Sequence, residues 1–167
     1  MTLRVSALVQ LAAELTSALD LTTASAPVSI GRQLSFADGD GAGEADRIWT
    51  DRRTIAASGT DSIDLAGDLV DPFGQTITFA KLKGLLVAAS PANTNNVLVG
   101  RPASNAVPLF SAEASIPVKP GGVFVWLDPS AAGITVTADT GDVIELGNSS
   151  GGTGVTYDIA IIGAAAS

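Results

Sequence analysis

Beyond residue 25 the chain alternates short apolar runs rich in Val, Ile, Thr and Phe with clusters of Gly, Pro, Asn and Asp. That punctuation belongs to an all-β protein. The clearest pattern lies near the C-terminal end, where Val155, Tyr157, Ile159 and Ile161 fall on one face and Thr156, Asp158 and Ala160 on the other. A period of two is the mark of a half-buried strand. Ile134 and Val136, with Thr135 and Thr137 opposite, repeat it, and Val143 to Leu146 does so less cleanly. Between these runs stand Asp139-Thr140-Gly141-Asp142 and Asn148-Ser149-Ser150-Gly151-Gly152, residues that accept turn conformations at low cost. The spacing predicts a three-stranded meander over residues 133–163.

Upstream, Gly122 to Leu127 is apolar on both faces, the pattern of a strand that is central in a sheet or covers an interface. Leu85–Ala89 and Val97–Val99 flank a loop from Ser90 to Asn96 and read as a hairpin. Val28–Phe36, Arg47–Ile55 and Ser62–Leu65 are further strand candidates. The first residues carry two periods at once. Leu8, Leu11, Leu15 and Leu19 follow helical spacing, whereas Leu3, Val5, Ala7, Val9 and Leu11 alternate like a strand. The first twenty residues match a secretory signal only loosely, because Gln10 and Glu14 interrupt the apolar run. They are expected to belong to the mature protein and are too polar to span a bilayer as a helix. The expected organisation is an N-terminal arm or short helix over residues 1–25 and one antiparallel β-sandwich, jelly-roll-like, over residues 26–167.

Composition narrows the function. A domain of this length buries about 70% of its unfolded surface and needs no staples. The chain has neither Cys nor His, which removes disulfides, thiolate metal sites, the commonest general base and the usual pH switch. Nine basic residues are scattered among seventeen acidic ones, for a net charge of −8, so no nucleic-acid partner is expected. Only 16% of residues are charged, against about a quarter in ordinary domains. A surface so poor in charge suits contact with another protein.

The candidate chemistry is thin. The acidic segment from Asp38 to Asp46 offers oxygen ligands, but its spacing departs from a calcium-binding EF-hand loop, and a solvated turn-forming loop is the expected reading. Asp61, Asp64, Asp68 and Asp71 form a second acidic run without an aromatic platform for sugars and are expected at turns and on a polar face. Asn93, Asn95 and Asn96 fit a tight turn better than a binding tip. Serine has no His partner and no nucleophile elbow, and no phosphate-binding glycine loop occurs. Hence no catalytic residue, cofactor or metal is expected, and the protein is read as not an enzyme. The largest anchors are Trp49, Phe124 and Trp126, the interface candidates by residue type. Trp49, among Asp46, Arg47, Asp51, Arg52 and Arg53, is expected nearer the surface than Trp126.

Ala80–Val87, Asn93–Gly100, Lys119–Phe124, Thr135–Ala138 and Val155–Gly163 together resemble small virion proteins of tailed bacteriophages, over about residues 60–163. The shared features are strand and turn patterns. The resemblance implies a jelly-roll decoration (cement) protein, made in the host cytoplasm and placed on the outer capsid surface. Its implied partners are the major capsid protein and further copies of itself, as a dimer or trimer, with no nucleic acid and no membrane. The alternatives are a phage tail or fibre component and a carbohydrate-binding β-sandwich module.

Overall fold

The computed structural model describes residues 2–67, 69–100, 104–111 and 114–166. It opens with β1 (Val5–Ala18) and β2 (Thr23–Phe36), two strands of fourteen residues each. They pair with one another along their whole length, from Val5 opposite Phe36 to Ala18 opposite Thr23, and with no other strand. At about 3.4 Å per residue this hairpin is roughly 45 Å long. The helical alternative for the first residues is therefore corrected. The period-two pattern wins because pairing with β2 satisfies the backbone, and Leu8 and Leu11 then point to opposite faces. Residue 25 falls inside β2, so the arm runs on to Phe36.

The body follows with β3 (Arg47–Ile55), β4 (Thr60–Asp64), β5 (Leu69–Val70), β6 (Thr76–Ile77), β7 (Lys81–Ala89) and β8 (Val97–Gly100). It continues with β9 (Ser115–Val118), β10 (Val123–Leu127), β11 (Ile134–Thr135), β12 (Val143–Asn148) and β13 (Val155–Ala164). One sheet runs in the order β10-β7-β13-β3, with β11 also on β7, and a second runs β4-β12-β8-β9. All pairings are antiparallel, and β5 and β6 form a ribbon of their own. The expected antiparallel β-sandwich is what the chain forms.

The two sheets close on a core that includes Tyr157, Ile159 and Ile161 of β13, Leu85 and Val87 of β7, Val97 and Val99 of β8, and Ile144 and Leu146 of β12. The alternation read from the sequence thus marks the inward face correctly, but not the partners. The expected meander over 133–163 is not formed, because β11 joins β7, β12 lies between β4 and β8, and β13 lies between β7 and β3. Nor do β7 and β8 make a hairpin, since they belong to opposite sheets. Periodicity reports burial of a face; which neighbour supplies the hydrogen bonds is a long-range matter. Likewise β10 is not central. It ends its sheet, with Phe124 and Trp126 packed toward the core and Val123 and Val125 exposed on the outside.

A second, smaller cluster lies on the outer face of the first sheet. Phe36, Ala45 and Ile162 are buried there, and Leu3, Val5, Leu34, Ile48 and Leu127 pack against them. This cluster roots the arm on the body. Gly84 makes room for it, because a Cβ at that position would lie 2.6 Å from Ile162 Cγ1. The backbone N–H of Leu3 adds a 2.9 Å hydrogen bond to Asp38 Oδ1.

Candidate functional site

The polar groups that the sequence offers as chemistry are occupied in holding the sandwich together. Arg53 on β3 makes a bidentate pair with Asp61 on β4, Nε to Oδ2 at 2.6 Å and Nη2 to Oδ1 at 2.8 Å. The buried Tyr157 hydroxyl donates to Asp61 Oδ2 at 2.6 Å. β3 and β13 belong to one sheet and β4 to the other, so this cluster ties the sheets across their margin. Burial pushes the Asp61 carboxyl up, but the hydrogen bonds from Arg53 and Tyr157 outweigh it and hold the group below its ordinary value. Burial, then the bond to Asp61, pushes the Tyr157 phenol up. Both Asp61 oxygens are thus engaged, Oδ1 by Arg53 and Oδ2 by Arg53 and Tyr157.

Lys83, on β7, is buried and points into the acidic loop. Its ammonium donates to the main-chain carbonyls of Asp40 (3.1 Å), Gly41 and Glu44 (2.8 Å). A lysine ammonium thus stands among the carbonyl oxygens that the sequence raised as cation ligands. Burial and the neighbouring Lys81 lower the Lys83 pKa from its ordinary value. Among the described residues no group of three acidic side chains is placed to hold a metal ion.

The other acidic and amide residues act on backbone, as expected for turn formers. Asp64 Oδ1 accepts from Ala66 N at 2.9 Å, and Asp71 Oδ1 accepts from Phe73 N and Gln75 N at 2.8 and 2.9 Å. Asp68 lies outside the described residues. Asn93 exchanges two bonds with the Thr156 backbone, its Nδ2 donating at 2.9 Å and its Oδ1 accepting at 2.8 Å. Asn95 Nδ2 reaches Asn148 Oδ1 at 3.0 Å, and the Asn96 N–H donates to Ser149 Oγ at 2.9 Å. These amides staple two loops together.

Of the three aromatic anchors, Trp49 corrects the sequence reading. It is only 5% exposed and sits in the main core, with the Arg53 guanidinium 5.9 Å from its ring centroid. Trp49 follows the inward period of β3 on the same face as Arg53, whereas Arg52 alternates outward to Asp158. Phe124 and Trp126 are half-buried on the inner side of β10, and Phe124 lies 6.0 Å from the Phe110 ring. The structure gives the outward apolar surface to smaller neighbours that sequence reasoning did not single out.

That surface has two parts. On the arm, the register puts Val9, Leu11, Ala13 and Leu15 of β1 on the same face as Arg32, Ile30, Val28 and Ala26 of β2, with Arg32 its one charged residue. The opposite face carries Gln10, Glu14 and Thr16 with Gln33, Ser29 and Ser25, and Leu8 as its one large apolar side chain. The first face is continuous with the rooted Val5 and Leu34, yet past the root it is open, with Leu11 59%, Leu15 76% and Ile30 64% exposed. On the body, Val123 (59% exposed), Val125 and Leu86 lie on the outer face of the first sheet beside Ala160. The exposed Arg52–Asp158 pair, 2.6 Å apart, borders this strip. The signal for the arm was present in the alternation of Leu3 to Leu11 and of Val28 to Phe36; what it lacked was the pairing of the two.

Comparison with protein-family models, with curated proteins and with solved structures returns no match.

Proposed function

We propose that this protein is a non-enzymatic structural component of a virus particle, a decoration (cement) protein that binds across major capsid subunits on the outer surface of a phage head. The observation that carries the reading is the arm: a long two-stranded projection whose apolar face is left uncovered on a rigid sandwich. A lone two-stranded hairpin is marginal in water, so an arm of this kind is built to lie against another protein surface. The order of strands across the two sheets supports reading the body as a jelly roll, a five-stranded and a four-stranded sheet between which the chain repeatedly crosses. The resemblance over residues 60–163 supplies the capsid and the host-cell origin.

The reading is tested by co-sedimentation with assembled capsids that lack the protein. Saturable binding at a fixed ratio to the major capsid protein, with greater heat resistance of the capsids, is the expected outcome. Failure to bind would overturn the capsid assignment and turn the search to tails, fibres and glycans.

A further inference from the structure

We infer that in solution the apolar face of each arm lies on the outer face of the first sheet of a second copy of this chain, reciprocally. The proposal shares with the capsid reading only the premise that the arm binds protein, and it concerns the protein by itself.

Two observations select this occupant. First, the chemistry of the contact is already realised within one chain. The same sheet face accepts the arm's root, where Val5, Leu34 and Phe36 pack with Ile48, Leu127 and Ile162. The next rows of that face, Val123, Val125 and Leu86, are left open. The next residues of the arm's face, Val9, Leu11 and Ile30, are open as well. With β1 and β2 paired from root to tip, the chain's own arm leaves these rows uncovered.

Second, charge permits it. Before residue 37 the two basic residues, Arg4 and Arg32, balance Glu14 and Asp20, so the whole net charge of −8 resides on the body. The face that docks carries one charge, Arg32 opposite Val9, so it meets the acidic body of a like copy without the repulsion that two bodies would feel face to face.

The contact also has a direction: sheets packed face to face run nearly parallel, so the arm forms a third layer along β10 and β7.

The absence of cysteine gives the test a clean background. Leu11→Cys and Val125→Cys chains, each alone and mixed, are treated with a short flexible bis-maleimide in the absence of capsids. The expected product is a covalent dimer in the mixture that neither variant gives alone. Light scattering of the unmodified protein should show an oligomer, and Leu11→Asp with Ile30→Asp should convert it to monomer without changing the β-sheet circular dichroism. A monomeric unmodified protein, or dimers from Leu11→Cys alone (arm on arm), would overturn the inference. Capsid binding is scored separately, so either proposal can fail while the other stands.

Discussion

The arm and the body are made of similar amphipathic strands and dispose of their apolar faces in opposite ways. In β13, Tyr157, Ile159 and Ile161 alternate inward and are sealed by the facing sheet. In β1, Val9, Leu11 and Leu15 alternate as regularly, yet no second layer among the described residues covers them. Burial therefore does not follow from pattern alone. It needs a second layer, which the body finds in its own β4-β12-β8-β9 sheet and the arm must find elsewhere. Stability and binding are divided between the two regions: the body holds the fold, and the arm holds the unspent apolar surface.

The sharpest way to break this contrast is a pair of truncations. Ile161→Ala, in the sealed core, should cost about 2–5 kcal/mol in chemical denaturation, whereas Leu15→Ala should change the unfolding of the body by less than about 0.5 kcal/mol. A comparable loss at both sites would mean that the arm is part of the folding core. Next in size is the clamp between the sheets. Asp61→Ala strands the buried Tyr157 hydroxyl, leaves the Arg53 guanidinium with Asp51 alone, and should cost about 1–3 kcal/mol.

The same residue sets a pH dependence. The folded state holds the Asp61 carboxyl below its ordinary value, so in acid the unfolded chain binds more protons than the folded one. The stabilisation is complete above the unfolded pKa, about 3.9, and is lost as pH falls through the lowered folded value. Denaturation midpoints across the acid range should fall less steeply in Asp61→Asn than in the unmodified protein.

Smaller again is Lys83→Met, which leaves the carbonyls of Asp40, Gly41 and Glu44 without their shared donor. It should cost about 1–2 kcal/mol and speed amide exchange in the loop near the arm's root more than in β13. Least of all, Arg52→Ala removes a fully exposed ion pair with Asp158, and the melting temperature should stay within error. A clear drop would show that this border of the outer strip is covered by a partner.

The sequence by itself determined the class of the fold. Gly- and Asn-rich turns and period-two runs such as Val155–Ile161 define an antiparallel sandwich, because side-chain alternation is local and any strand with one buried face must show it. It also announced that Asp64 and Asp71 serve turns, since carboxylates at turns close on nearby backbone. Only the tertiary structure decided the partners. It separated the apparent meander of β11, β12 and β13 into different sheets, drew Trp49 inside, and sent Lys83 into an acidic loop some forty residues away. It also joined two N-terminal stretches into one arm and left that arm's apolar face open. The reason is physical: a residue's neighbours along the chain fix which way its side chain points, but what waits there is set by segments far off in sequence.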